Sequence, residues 1–198
     1  RFSKAASNLQ MRYQSESAKL ESLKNIAERY DGYGNSIKRV METKDRVRGI
    51  HGVVADLITT SKDYETAIET ALGGRMQNIV TDSEKTAKTL IDYLKKNKYG
   101  RATFLPLSSA KGSSFSNTSF LKEPGVIGIA DTLVEYDKSY RDLISSLLGR
   151  IIIIDNIDNA INFEKKYRYE YRVVTLEGES LSSGGSISGG AFKNSGNL

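Results

Sequence analysis

The sequence predicts a mixed α/β (α+β) fold, with two pseudo-repeated α/β halves behind an N-terminal coiled-coil helix. Three observations carry that prediction. Apolar residues recur at 4-3 spacing through residues 2–30, strand-like and helix-like stretches alternate after residue 47, and one helix, glycine, strand unit is written twice.

The arm comes first. Phe2, Ala6, Leu9, Tyr13, Leu20, Leu23, Ala27 and Tyr30 fall on one heptad stripe interrupted only at Glu16, while Lys4, Arg12, Lys19, Lys24 and Glu28 take the other faces. A lone helix with such a seam is marginal in water and wants a partner. The alternative is a helix packed on its own domain. Asp31-Gly32-Tyr33-Gly34-Asn35 ends the arm, and Ser36 to Asp45 reads as a short second helix.

The repeat fills the body. Tyr64, Ala67, Ile68, Ala71 and Leu72 have helical spacing, close on Gly73-Gly74-Arg75 and lead into strand-like Met76 to Val80. Tyr140, Leu143, Ile144, Leu147 and Leu148 repeat the spacing, close on Gly149-Arg150 and lead into Ile151 to Ile154. Thr81 with Glu84 predicts a capping box ahead of Ala87, Leu90, Ile91 and Leu94, and Asp155 predicts a cap for Ile157, Ala160 and Ile161. Each copy then meets a basic, tyrosine-bearing turn (Lys95 to Tyr99; Lys165 to Tyr169) and a further strand (Ala102 to Leu105; Val173 to Leu176). Lys111 to Lys122 reads as a Ser/Gly-rich connector, and Pro124-Gly125 as a turn before the strand Val126 to Ile129. Neither half alone is long enough to bury a large core.

Composition removes several chemistries. The 198 residues include no Cys and a single His, His51, so disulfides, thiolate zinc sites and cysteine nucleophiles are excluded and most triad chemistry lacks its base. No apolar run approaches a membrane span, and the chain, opening Arg1-Phe2-Ser3, reads as a piece of something longer without a signal peptide. Residues 1–48 carry 11 of the 29 Lys/Arg and 6 of the 24 Asp/Glu, which leaves 18 of each sign in the body. The excess of +5 thus belongs to the arm, and the body would meet nucleic acid only through local patches.

Nucleotide motifs are imitated rather than present. There is no phosphate loop and no strand-borne Gly-x-Gly-x-x-Gly. Ile151 to Asp155 reads as a buried strand ending in a helix cap, not as a magnesium-binding strand. Leu181-Ser182-Ser183-Gly184-Gly185 echoes an ATP-cassette signature but has an extra Ser and lacks its Gln. His51, between Ile50 and Gly52, reads as a turn or partly buried imidazole. Nothing here recommends an enzyme.

The unusual segment is Glu179 to Phe192, with two Gly-Gly pairs around Ile187. Its composition suits a flexible linker. Its apolar residues Leu181, Ile187 and Phe192 suit a strand edge where another backbone approaches closely and a second subunit docks by strand addition or tight packing.

The arm, Gly49-Ile50-His51-Gly52-Val53-Val54-Ala55-Asp56-Leu57-Ile58, Tyr64 to Val80, Gly100 to Leu107 and Gly184-Gly185-Ser186-Ile187-Ser188-Gly189-Gly190 together resemble the hinge domain of structural maintenance of chromosomes (SMC) proteins, most of all a bacterial SMC or condensin subunit, over residues 47–192. The resemblance implies a segmentation into arm and connecting helix (1–46), hinge subdomain I (47–110), connector (111–124), hinge subdomain II (125–192) and the start of a return to the coiled coil (193–198). It implies a homodimer joined through the sheets, with Gly73, Gly74, Gly184, Gly185, Gly189 and Gly190 at the contact. An antiparallel return helix of the parent chain would complete the arm. ATP and magnesium belong to head domains outside this segment, so no cofactor, metal or membrane is expected, and the setting is the cytoplasmic nucleoid.

The resemblance also implies weak, salt-dependent DNA contact. The candidates are Lys95, Lys96, Lys98 and Arg101, their repeat-mates Lys165, Lys166, Arg168 and Arg172, and Lys38, Arg39, Lys44, Arg46 and Arg48 near the arm. Lysines track phosphate and interleaved tyrosines stack on bases; alternatively these are solvated helix ends. Two other readings remain open: a coiled-coil protein-interaction adaptor, and a small-molecule or anion-binding α/β domain using Gly184 to Gly190 as a cradle.

Overall fold

A computed structural model of the chain describes residues 2–30 and 32–191. Phe192 and the expected return at 193–198 lie outside the described residues, as does Asp31 of the predicted turn. Helix α1 (Phe2–Arg29) stands clear of the body for most of its length, and no residue of it is buried. Its seam is bare: Phe2 is 93% and Leu20 70% exposed. Only its end docks, where Ile26 and the buried Tyr30 pack with Ile37, Val40 and Met41 of α2 (Asn35–Glu42). The alternative of an arm lying along its own domain is not what the described residues do.

Subdomain I runs β1 (Ile50–Val53), α3 (Val54–Leu57), β2 (Thr59–Thr60), α4 (Glu65–Leu72), β3 (Ile79–Thr81), α5 (Glu84–Asn97) and β4 (Phe104–Pro106). Subdomain II runs β5 (Val126–Ile129), β6 (Val134–Glu135), α6 (Arg141–Leu148), β7 (Ile151–Ile154), α7 (Ile157–Lys166), β8 (Arg172–Thr175), β9 (Ser180–Leu181) and β10 (Ile187–Ser188). The sheets are ordered β1-β3-β4 and β10-β9-β8-β7-β5. In each, an antiparallel pair (β1·β3, β5·β7) is followed by a parallel one (β3·β4, β7·β8), and the first pair carries a register shift at the same place.

The duplication reaches single atoms. Gly49 at φ +99° accepts from the Asp82 N–H at 2.8 Å, and Gly125 at φ +79° accepts from the Asp155 N–H at 2.9 Å. A Cβ on either glycine would lie 2.3 Å from a carboxylate oxygen of that Asp. Space and backbone both demand glycine there.

Two helix starts differ from expectation. Ser83, not Thr81, caps α5 by accepting from the Thr86 N–H at 3.3 Å, because β3 continues through Thr81 and buries it. Asn156, not Asp155, caps α7 by accepting from the Asn159 N–H at 2.9 Å; Asp155 instead accepts from the Asn156 N–H and the Asn159 amide. A third difference follows from length. The first copy has more residues than the second between its glycine turn and its strand, so Gly73–Gln77 coils as a 3-10 turn and the predicted strand begins only at Ile79.

The halves share one core. Ile68, Leu72 and Val80 of subdomain I pack with Ile144, Leu148 and Ile153 of subdomain II, and β2 pairs with β6 across the junction. Strand β7 is buried on both faces: Ile151 and Ile153 point into the shared core, Ile152 and Ile154 into a second cluster with Phe120, Phe163 and Leu181. The connector is held as well, with the Ser113 N–H donating to Ser145 Oγ at 2.9 Å and Phe120 buried. The single histidine bridges the halves, with His51 Nδ1 2.8 Å from the Tyr140 hydroxyl.

Candidate functional site

The Gly/Ser-rich segment is an ordered hairpin rather than a loose linker. Strand β9 pairs antiparallel with β10, and the tip closes through Ser182 N–H to Ser186 O at 2.9 Å and Gly185 N–H to Ser182 O at 3.1 Å. Gly184 and Gly185, at φ +94° and +101°, make that tip. It rests on the turn after α7, where Gly184 N–H donates to Tyr169 O at 3.0 Å, and that turn holds Arg168 and Tyr169 in left-handed conformation.

Gly73 and the Gly189-Gly190 pair come together although over a hundred positions separate them. Thr70, Gly73 and Met76 form one wall and Ser188, Gly189 and Gly190 the other wall of a groove of about 510 Å³. Gly184 and Gly185 are not in its lining. A Cβ would meet nothing within 4 Å at Gly73, Gly74, Gly184 or Gly190. Gly73, Gly184 and Gly190 have positive φ, which explains glycine locally. Gly74 has neither a positive φ nor a close neighbour, so nothing within the described chain requires glycine there.

Beside the groove, two guanidiniums converge on the C-terminal carbonyls of α4. Arg75 donates to Ala71 O at 2.8 Å and Leu72 O at 3.2 Å, and Arg172 reaches from β8 to Ala71 O at 3.1 Å and Thr70 O at 3.4 Å. Both satisfy carbonyls that a helix end leaves open. Burial, and for Arg75 also the neighbouring Arg172, pulls both guanidiniums below their ordinary pKa. Arg172, one of the candidate DNA-contacting residues, is half-buried and ties β8 to the end of α4.

Sheet edges supply the remaining geometry. β10 ends the five-stranded sheet with both residues exposed, and Ile187 keeps half of its surface in solvent. β4 ends the three-stranded sheet. By the internal repeat β4 corresponds to β8, whose outer side carries β9 and β10. Among the described residues no strand covers that side of β4.

The basic residues fall on separate surfaces. Where α2 meets the end of α5, the Arg39 guanidinium lies 4.7 Å from the Tyr99 ring centre, Tyr93 and Tyr99 stand 5.6 Å apart, and Ser36 Oγ donates to Arg101 O at 2.6 Å. Arg46 and Arg39 both act electrostatically on Tyr93. Lys95, Lys96, Lys98 and Arg101 are exposed at that turn, and Lys44, Arg46 and Arg48 are exposed after α2. Arg39 also pairs with Glu42 at 3.7 Å. Lys38 is half-buried in α2. In subdomain II Lys165 and Arg168 are exposed, whereas Lys166 is bound to Glu123; that bond raises the ammonium pKa and lowers the carboxyl's.

Comparisons with known proteins identify the family. The family described as the SMC proteins flexible hinge domain matches residues 47–164. The chromosome partition protein Smc of Bacillus subtilis is 39% identical over 183 residues, covering 91% of this chain and 15% of that protein. That of Halothermothrix orenii is 41% identical over 178 residues, covering 89% and 15%. This chain thus spans about 15% of the length of these relatives. Among solved structures, the asymmetric dimer of the Geobacillus stearothermophilus SMC hinge domain superposes with TM-score 0.80 at 41% identity, covering 96% of this chain and 78% of that one. The Pyrococcus furiosus SMC hinge domain superposes with TM-score 0.66 at 31% identity, covering 91% and 93%. With its duplicated sheets, shared core and projecting arm, the chain belongs to the SMC hinge domain family.

Proposed function

We propose that this chain is the homodimerisation hinge of a chromosome-organising SMC ATPase, joining two coiled-coil arms through its sheet edges. The observation that carries this reading is the pair of edges left uncovered among the described residues, β10 on one half and β4 on the other. Unpaired strand edges are templates for strand addition. A two-fold axis turns one β10-to-β4 contact into two, since each copy offers both edges. The groove between Gly73 and Gly189-Gly190 lies beside β10 and leaves room for a second backbone. The relative from Geobacillus stearothermophilus, described as an asymmetric dimer, supports dimerisation of the hinge.

Light scattering tests the proposal with Gly74→Arg. Position 74 tolerates a side chain within one copy, so the variant is expected to fold and run as a monomer while the parent runs as a dimer. A folded Gly74→Arg dimer would remove Gly74 from the contact. A monomeric parent would favour the adaptor or anion-binding readings.

DNA contact is the second part of the proposal. The patch formed by Arg46, Lys95, Lys96, Lys98 and Arg101 with Tyr93 and Tyr99 supports it best, because cations and aromatic rings share one surface there. Lys165 and Arg168 form a smaller patch. The balanced charge of the body calls for weak binding with steep salt dependence. ATP and magnesium act at the parent's heads, the return helix completes the arm, and the complex works at the cytoplasmic nucleoid. No helix among the described residues is long and apolar enough to cross a membrane.

A further inference from the structure

One carboxylate holds the body end of the arm. Asp56, in α3, accepts the Tyr30 hydroxyl on Oδ2 at 2.6 Å and the Arg29 guanidinium on Oδ1 at 3.0 Å. Its Oδ2 also accepts the Val53 N–H at 3.2 Å. The site is built rather than incidental: the Asp56 side chain is 15% exposed, Tyr30 is 3% exposed, and Gly52 at φ +134° leaves the space that the carboxylate fills. Burial, followed by the bond to Asp56, raises the Tyr30 hydroxyl far above the ordinary tyrosine pKa, so it remains a donor. A second side-chain tether of α1, Ser22 to Asp45 at 3.3 Å, is exposed.

The same short helix touches the candidate interface. α3 packs against the Gly73–Gln77 turn, and the Val54 N–H donates to Asn78 O at 3.0 Å where that turn ends. Four residues of helix thus lie between the contacts of Arg29 and Tyr30 and the glycine turn. We infer that Asp56 is a latch that fixes the arm's direction and couples it to the glycine turn. The coupling rests on the dimer reading above; the latch does not. Two-state coupling of this kind needs contacts that differ between arm positions, and Asp56 supplies them because its bonds to the arm are made only when the arm is seated.

The geometry sets the size of the signal. From Tyr30 to Asn8 the helix forms a lever of about 33 Å, so a tilt of about 10° moves its far end by about 6 Å. Because the chain has no cysteine, Asn8→Cys and Lys88→Cys, both at exposed positions, give specific nitroxide sites. One labelled copy is mixed with excess unlabelled chain, so that only distances within a copy are read by electron-electron resonance. A single narrow distance is expected. Asp56→Ala should broaden it by about 6 Å or more. Arg29→Ala with Tyr30→Phe should do the same while leaving Asp56 and α3 intact, and this pair decides the matter if Asp56→Ala does not fold.

The double variant should also weaken dimerisation several-fold, although neither residue lies at the turn. An unchanged distance distribution in the folded double variant would overturn the latch. A broadened distribution with an unchanged dimer dissociation constant would overturn the coupling. Gly74→Arg separates the two ideas: if it stays dimeric the turn is not at the contact and the coupling falls, while the arm distance still reports on the latch.

Discussion

Replacing Gly49 by Ala tests whether the duplicated turn is the structural unit it resembles. At φ +99° an L-residue is strained by about 1–2 kcal/mol. The new Cβ would also lie 2.3 Å from Asp82 Oδ1, which forces the carboxylate off Thr86 and Ser83. For a domain of this size, 1–2 kcal/mol lowers the melting temperature by about 2–8 °C. Gly125→Ala should cost more, because its Cβ would meet Asn159 Cβ at 2.8 Å, and that atom, fixed to the first turn of α7, cannot swing aside. Gly74→Ala, with ordinary φ and open space, should leave the melting of one copy unchanged or raise it slightly. Thermal denaturation followed by circular dichroism at several protein concentrations separates these effects from dimer dissociation. Gly49→Ala melting with the parent while Gly74→Ala melts several degrees lower would refute the reasoning.

Other positions give independent outcomes. Glu164 is fully buried with both carboxylate oxygens unpartnered among the described residues, and burial pushes its pKa from 4.5 up to about 7. The folded state therefore holds a proton that the unfolded state loses. Its contribution is complete below about pH 4.5 and is lost as pH rises through about 7. Glu164→Gln should thus be more stable than the parent at pH 8 by up to about 3 kcal/mol, and equal urea midpoints at pH 8 would contradict this. Leu20→Ala, at a position 70% exposed, should change stability by less than about 0.5 kcal/mol in this chain. Lys95→Ala and Arg46→Ala should each weaken oligonucleotide binding and flatten the slope of log K against log salt by up to about 1, as read by fluorescence anisotropy. Arg172→Ala should lower the melting temperature, since it uncaps α4 and releases a bond between the subdomains.

Much of this architecture is legible in residue spacing because the fold repeats itself. The intervals from Tyr64 to Leu72 and from Tyr140 to Leu148 are the same, and both segments form the expected helices. The seam of α1 is legible for the same reason, since heptad spacing encodes a face whatever covers it. The helix caps were not, because Thr81 and Ser83 both belong to the residue types that cap helices and only the pairing of β3 with β4 decides which lies in the strand. Composition alone suits a linker at Glu179 to Phe192, yet Ser180 to Ser188 closes as a hairpin, with Leu181 buried and Tyr169 receiving its tip. The tie between Asp56 and the arm leaves no trace in spacing. It joins residues 26 and 27 positions apart through a fold that exists only once the chain has turned back at Gly32 to Gly34.

The pairing of the two sheet edges is tested most directly by cross-linking. Ser188→Cys places a thiol on β10 and Thr103→Cys places one just before β4, in a chain with no other cysteine. The account predicts that a short bismaleimide links the two variants when they are mixed and exchanged, giving a covalent dimer, and links neither variant to itself. Self-linkage of Ser188→Cys, or no linkage in a mixture that light scattering shows to be dimeric, would contradict the joining of β10 to β4.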